Sequence, residues 1–240
     1  MKILQELIKC QNCNELQNLT TKCLGRNYEC FRQIDSTQKE IWRRIESTNI
    51  KNGMLIRAEN QTSGIGTHGR TWISTTNNIT FSFYYEMNCN VKKVDGLTFE
   101  IAEIILEILK QSYGIQLEIK LPNDIYYQGK KLGGILTESK IVGDTVKYIV
   151  VGIGLNNSQT EFDEGLKDIA TSIYKEFEIE IDVAGFIEMF CNVFEKAIMR
   201  RIGETFWDGL DLSHFGCVAE RKKWIKIKNF KNVIFGTNSF

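Results

Sequence analysis

The apolar segments of this chain are short, and three strand-like ones follow one another without an intervening helix. Residues 115–120 alternate between apolar and polar, 145–153 are mainly apolar, and 131–139 are a segment of strand length that contains a glycine pair. A doubly wound parallel sheet places a helix after nearly every strand, so this order argues against that architecture. The order predicts instead an α+β fold with a mixed, mostly antiparallel sheet and flanking helices.

The other elements are predicted from periodicity and end signals. Apolar residues recur at helical spacing before Gly114, which is a typical residue just after a helix. Thr37 and Glu40 have the spacing of a capping box, which indicates a helix start. The predicted helices are 2–18, 35–46, 95–113 and 182–202, and further strands are predicted at 53–58 and 79–85.

The composition is that of an ordinary globular protein and argues against several classes. The 240 residues are 42% hydrophobic and 25% charged, and 30 Lys and Arg balance 30 Asp and Glu. A net charge of zero gives no overall attraction to DNA or to an anionic membrane, so neither partner is expected. The apolar runs are shorter than the ~18 residues of a membrane-spanning helix.

Seven cysteines, an odd number, occur without a secretory signal at the N-terminus, which predicts reduced thiols and a cytoplasmic location. Four of them form the pattern C-x2-C-x9-C-x6-C over residues 10–30. A zinc ion could bind the first pair, but the remaining spacing matches no standard zinc finger. Free thiols are therefore favoured over a metal site.

A glycine-rich loop at residues 64–69 has the pattern G-x-G-x-x-G. No helix is predicted after it and no Gly-Lys-Ser/Thr is present, which argues against a dinucleotide site and a P-loop. Its backbone amides could still approach an anion, with Arg70 as a cation and Trp72 as a stacking surface. The alternative is a flexible turn between two strands.

Three further clusters place polar side chains beside proline or glycine, within predicted strands or at their ends. Residues 120–124 read Lys-Leu-Pro-Asn-Asp, and a lysine held by a proline turn can contact a phosphate or a carboxylate. Residues 131–138 and 152–157 contain glycine pairs, and glycine inside a strand often marks where a ligand lies against the backbone. Each cluster alone is more often a β-bulge or a turn, whereas together they predict a ligand site.

With these motifs in order, the sequence resembles the biotin protein ligases over about residues 33–200. Residues 35–38 are similar to the family's D-S-T-N, and the segment from Ala58 to Trp72 is similar to its A-E-x-Q-T-x-G-R-G-R-x-G-R-x-W. The three strand-end clusters are similar to its K-W-P-N-D, K-L-x-G-I-L-x-E and G-I-G-x-N. Five motifs in the family's order make the resemblance specific.

The resemblance implies a class II aminoacyl-tRNA-synthetase-like catalytic domain, at 1–209, and a short C-terminal β element at 210–240 that corresponds to part of an SH3-like domain. It implies that biotin and ATP form biotinyl-5′-AMP and pyrophosphate. The biotinyl group then passes to a lysine of a biotin carboxyl carrier protein or carboxylase carrier domain. Mg²⁺ is expected to bind mainly phosphate oxygens and water, and no protein ligand for it is identified. Pairing of two copies through sheet edges stays open.

The resemblance also implies roles for individual residues. Lys120 is the leading catalytic candidate, bridging the biotin carboxylate and the α-phosphate, and Arg70 is expected to hold phosphate. The residues expected to bind biotin are Ser36, Thr37, Gln38, Gln61, Gly64, Ile65, Gly66, Thr67, Lys120, Gly134 and Ile135. Those expected to bind ATP are Arg70, Trp72, Asn123 and Asn156.

Three departures from the family pattern accompany these expectations. Ile65 and Thr67 stand where the family has arginines, and Leu121 stands where it has tryptophan. About 33 residues precede the first motif, too few for the winged helix of repressor-type ligases, so a monofunctional ligase is expected rather than a DNA-binding repressor. The alternatives are a lipoate or octanoate ligase or transferase of the same superfamily, and a non-catalytic biotin-binding module.

Overall fold

The computed structural model describes residues 8–9 and 16–203 of the chain. Nine strands in this part form one sheet: β1 Ile8–Lys9, β2 Asn27–Ile34, β3 Met54–Ile65, β4 Thr71–Ser74, β5 Ile79–Asn90, β6 Glu118–Lys120, β7 Asp124–Tyr127, β8 Lys130–Val142 and β9 Thr145–Leu155. The α-helices are α1 Thr37–Glu46, α2 Leu97–Tyr113, α3 Ile173–Phe177 and α4 Val183–Ile202. Short 3₁₀ turns lie at Thr67–Gly69 and Val91–Val94.

The strand order in the sheet is β1-β2-β3-β5-β9-β8-β7-β6, with β4 paired to β3. Strands β2 and β3 are parallel, and the other pairs are antiparallel. The prediction of an α+β fold with a mixed, mostly antiparallel sheet is therefore confirmed. Strands β2, β4 and β7 were not predicted, because their short or polar segments carry little periodicity.

Both faces of the central strands are covered, which explains why residues 79–85 of β5 are all buried. Phe83 belongs to a large core that includes residues of α2 and α4, whereas its neighbour Tyr84 belongs to a smaller core beneath α1. Val151 and Val150 of β9 divide between the two cores in the same way. The alternation of side chains along a strand thus sends neighbouring residues into different cores.

The boundaries of α1, α2 and α4 agree with the predicted ones to within two residues, α3 was not predicted, and the cap of α1 differs from the prediction. Ser36, not Thr37, is the N-cap residue, and its side chain accepts a hydrogen bond from the Lys39 amide at 3.4 Å. Thr37 turns its hydroxyl toward the sheet instead. At the end of α2, Gly114 adopts φ 71°, as the stop signal predicted.

Two carboxylates of α4 bind backbone amides of the segment that precedes β2. Glu195 accepts hydrogen bonds from the amides of Lys22, Cys23 and Leu24, the last two at 2.9 and 2.8 Å. Glu188 accepts from the amides of Gln17 and Asn18. Burial raises the pKa of Glu188, but these hydrogen bonds outweigh burial and hold the pKa below its usual value.

Two predictions near the termini have different outcomes. The strand Ile8–Lys9 shows that the helix predicted over 2–18 is wrong at that point, and most of that range lies outside the described residues. The predicted C-terminal element at 210–240 and the domain boundary at 209 also lie outside them.

The described cysteines and helices bear on two further expectations. Cys89 and Cys191 are free thiols, whereas Cys30 is disulfide-bonded, so the expectation of reduced thiols is wrong at that residue. No helix within the described ranges is long and apolar enough to span a bilayer.

Candidate active site

A cavity of about 570 Å³ opens on the α1 face of the sheet. This volume is in the range of small-molecule sites, roughly 300–1,000 Å³. Its floor is formed where β8 and β9 carry glycine, at Gly134, Gly152 and Gly154. Val150 points to the same face of β9 and fills the core under α1. The two following residues of that face have no side chain, so the core stops and the cavity begins.

Most of the predicted site residues come together in the wall of this cavity. Gly64 does not line it, but a Cβ there would lie 2.5 Å from the Trp72 carbonyl and 2.6 Å from Gln61 Nε2, so glycine makes room for both. Lys120 does not line it either. The predicted residues that line it are Ser36, Thr37, Gln38, Gln61, Ile65, Gly66, Thr67, Arg70, Trp72, Asn123, Gly134, Ile135 and Asn156.

Trp72 of β4 lies directly on the glycine floor. A Cβ at Gly154 would come within 2.4 Å of the indole, so only glycine permits this packing. The indole Nε1 is buried and has no hydrogen-bond partner among the described residues. Trp72 therefore offers a flat apolar surface and an unused donor to a bound molecule.

One end of the cavity is a cluster of polar side chains whose hydrogen bonds to one another determine which groups remain as donors. The amide and hydroxyl of Thr37 both donate to Gln61 Oε1, at 2.8 and 3.1 Å, and the Thr37 hydroxyl also lies 2.8 Å from Ser82 Oγ. Because the carbonyl of Gln61 is engaged, its Nε2 is left as a donor.

Gln38 provides the opposite polarity in the same cluster. Its Nε2 donates to Glu138 Oε2 at 2.8 Å, and its Oε1 lies over Gly152, where a Cβ would come within 2.7 Å. Oε1 is buried without a hydrogen-bond partner in the described part of the chain, and so is the hydroxyl of Thr80 in the same wall. Buried polar atoms without partners are costly, so these two atoms are candidates to contact a polar ligand.

The lysine in the cavity is Lys131, not Lys120. Lys131 Nζ lies 2.6 Å from Asp124 Oδ1, beside Gly134 and 6.0 Å from the centroid of the Trp72 ring. Both members of this ion pair line the cavity, and their side chains are 27% and 14% exposed. A lysine held in this way can offset the charge of an anionic ligand.

Lys120 was predicted as the leading catalytic residue, and the structure does not bring it to the other site residues. It is exposed at the end of β6, where its Nζ lies 3.4 Å from Tyr126 Oη and 4.6 Å from the centroid of that ring. The sequence argument considered only Lys120, which precedes the proline turn, and spacing along the chain carries no information about which lysine faces the cavity. Lys131 begins the motif at residues 131–138, but the sequence analysis assigned no role to it.

The glycine-rich loop closes on itself at the mouth of the cavity. The Gly66 amide donates to the Arg70 carbonyl at 2.7 Å, and Arg70 Nη2 donates to the Thr67 hydroxyl at 2.9 Å. Thr67 thus orients the guanidinium of Arg70, which is otherwise exposed. Ile65 adds an apolar side chain to the wall.

The two predicted asparagines are buried in the wall and bind the backbone. Asn123 Nδ2 donates to the Ile135 carbonyl and Asn156 Nδ2 to the Thr171 carbonyl, both at 2.9 Å. Their amide donors therefore support the wall. The segment after Asn156 was not predicted as part of the site, although Phe162 and Ile169 from it line the cavity.

The residues present fit a magnesium ion that is bound mainly through a nucleotide. Within the described ranges, no group of three or more His, Cys, Asp and Glu side chains could hold a metal ion. Asp124 and Asp163 are the carboxylates in the cavity wall, and Asp124 is already paired with Lys131. One or two carboxylates together with phosphate oxygens and water match the usual environment of Mg²⁺ at nucleotides.

The sequence and fold are similar to those of known ligases. The bifunctional ligase/repressor BirA of Bacillus subtilis is 35% identical over 181 residues, which are 74% of this chain and 55% of that protein. The biotin–[acetyl-CoA-carboxylase] ligase of Paracoccus denitrificans is 26% identical over 198 residues, with 80% and 77% covered. The chain thus spans little more than half the length of the Bacillus relative.

A solved structure shows the same fold. The biotin protein ligase from Aquifex aeolicus in complex with biotin and ATP aligns with a TM-score of 0.58 and 30% identity, covering 74% of this chain and 70% of that one. The expected class II synthetase-like fold is therefore confirmed. The model of the biotin/lipoate A/B protein ligase family matches residues 30–156, which contain most of β2, all of β3 to β9, the glycine-rich loop and Lys131. The chain therefore belongs to the biotin/lipoate A/B protein ligase family.

Proposed function

We propose that this chain is a biotin protein ligase, and the polar cluster at Gln38 and Gln61 carries this proposal. The family includes proteins that act on biotin and on lipoate, so membership alone does not choose between them. Gln61 Nε2 is a donor and Gln38 Oε1 is an acceptor in one wall of the cavity. The ureido ring of biotin carries a carbonyl acceptor and two N–H donors, whereas the dithiolane ring of lipoate carries no N–H.

Lys131 is proposed as the lysine at the reacting centre, in place of Lys120. The biotin carboxylate attacks the α-phosphorus of ATP, a P–O bond forms, and pyrophosphate leaves. Both reactants are anions, so a fixed cation reduces their repulsion and offsets the charge of the transition state. Arg70 adds a second cation at the mouth, and Trp72 gives a surface on which the adenylate can pack.

In the second step, a lysine amine of a carrier domain attacks the acyl carbon of biotinyl-5′-AMP, an amide forms, and AMP leaves. The similarity to the biotin–[acetyl-CoA-carboxylase] ligase of Paracoccus denitrificans supports a carboxylase carrier as the acceptor. Mg²⁺ would neutralise the triphosphate, with Asp124 or Asp163 near it. The magnesium requirement, the cytoplasmic location and pairing of two copies stay predictions.

Biotin-dependent exchange of pyrophosphate into ATP tests the proposal, with lipoate as the competing substrate. Exchange with biotin, followed by biotinylation of a carboxylase carrier domain, is the expected result. Exchange with lipoate alone would support the lipoate ligase. Biotin binding without exchange would support the non-catalytic module.

A further inference from the structure

Glu138 of β8 lies behind the cavity wall and binds two side chains of α1. Its Oε2 accepts hydrogen bonds from Gln38 Nε2 and from Trp42 Nε1, both at 2.8 Å. Trp42 is itself held, because its ring packs against Tyr148 at a centroid distance of 6.1 Å. The carboxylate of Glu138 is therefore fixed relative to Gln38.

Glu138 determines which end of the Gln38 carboxamide faces the cavity. The two orientations of a carboxamide fill nearly the same space, so only hydrogen bonding distinguishes them. Glu138 Oε2 and, at 3.4 Å, the Val150 carbonyl present acceptors to one end, which must then be Nε2. Oε1 consequently faces Gly152 as a buried acceptor on a residue that is 3% exposed.

We propose that Glu138 is a positioning residue that makes Gln38 a fixed acceptor, and that this acceptor selects head groups carrying an N–H. The proposal rests on the proposed function and assigns the discrimination against lipoate to this pair. A ureido N–H pairs with Gln38 Oε1, whereas a dithiolane ring buries that oxygen without a partner. A site with a buried polar atom rejects a ligand that cannot pair with it.

The competing explanation is that Glu138 only fastens α1 to the sheet. In that case, removal of the Glu138 carboxylate would weaken the binding of biotin and of lipoate equally, because α1 would be held less firmly against the sheet. Trp42→Phe provides a matched control, since it removes the second hydrogen bond of Glu138 and leaves the bond to Gln38.

The experiment measures dissociation constants of biotin and lipoate by titration calorimetry on the full chain. The variants are Glu138→Met, which keeps volume without an acceptor, Glu138→Gln, which keeps an acceptor oxygen, Gln38→Met, and the double variant. We expect Glu138→Met and Gln38→Met each to lower the preference for biotin about tenfold, the usual scale of one buried hydrogen bond. Glu138→Gln and Trp42→Phe should keep the preference, and the double variant should lose no more than Gln38→Met.

Equal weakening of biotin and lipoate by Glu138→Met, or additive losses in the double variant, would overturn the positioning role. If Glu138→Met does not fold, Gln38→Met decides, and an unchanged preference in that variant overturns the proposal. A wild-type chain that does not bind biotin would refute the proposed function itself. Tight biotin binding by the wild type with an unchanged preference in the variants refutes the selection by Glu138 and Gln38 and leaves the proposed function standing.

Discussion

Replacing Lys131 by alanine tests the assignment of the reacting centre, because Lys120 provides a control of the same residue type. Lys131 lines the cavity and lies 2.6 Å from Asp124, whereas Lys120 is exposed beside Tyr126. We expect Lys131→Ala to slow biotin-dependent pyrophosphate exchange about 10²–10³-fold, the usual loss for a preorganised charge. Lys120→Ala should stay within about twofold of the wild type, as for most exposed side chains.

Repulsion from Asp124, once its partner is removed, accounts for part of the loss expected in Lys131→Ala. Without the ammonium group, the Asp124 carboxylate remains in the wall, 14% exposed, where the anionic reactants must bind. At an effective dielectric constant of ~20, two unit charges ~4 Å apart interact by about 4 kcal/mol, which is close to a factor of 10³ in rate. The variant that combines Lys131→Ala with Asp124→Asn should therefore exchange pyrophosphate faster than Lys131→Ala alone.

The assay is pyrophosphate exchange at saturating ATP with biotin varied, together with thermal unfolding of each variant to confirm folding. Equal losses for the two alanine variants, or a loss confined to Lys120→Ala, would refute the reasoning. No recovery in the combined variant would show that repulsion from Asp124 contributes nothing.

Three other expected outcomes follow from single contacts. Gly154→Ala should displace the Trp72 indole and weaken ATP binding more than biotin binding, as titration with each ligand would show. Thr67→Val should speed release of the adenylate only about twofold, because the hydroxyl binds Arg70 at an exposed site, and Thr67→Ser should not. Since the folded-state pKa of Glu188 is lowered, its stabilisation is present above the unfolded value of about 4.3 and is lost as pH falls through the folded value. Chemical unfolding of Glu188→Gln should therefore show less loss of stability than the wild type between about pH 5 and 3.

The sequence predicted a helix or strand correctly where the residues of that segment alone showed the pattern of the element. The helical spacing before Gly114 predicted α2 and its end, and the apolar run at 79–85 predicted most of β5. The cap of α1 was wrong by one residue, because Ser36 and Thr37 are both good capping residues. Which of them caps depends on the sheet, since Thr37 is drawn to Gln61 and Ser82.

Which lysine faces the cavity could not be predicted from spacing along the chain, because it depends on the registers in which β6, β7 and β8 pair. Asp124 pairs with Gly134 across the β7–β8 hairpin, and this register places Asp124 beside Lys131. Lys120 is paired with Asp124 in the β6–β7 register, but its side chain extends along Tyr126 instead. The two lysines lie in separate local motifs, and neither motif contains information about these pairings.

The floor of the cavity, in contrast, follows from the sequence, because the residues on one face of β9 change from large side chains to glycine. Tyr148 and Val150 point toward α1 and pack in the smaller core, and Gly152 and Gly154 occupy the next two positions on that face. Strand alternation alone predicts that the side-chain layer ends after Val150. The structure adds what fills the gap, because Gln38 extends over Gly152 and Trp72 over Gly154 from two other elements. The site therefore arises because the core under α1 ends at glycine, and polar and aromatic groups from distant segments form its walls.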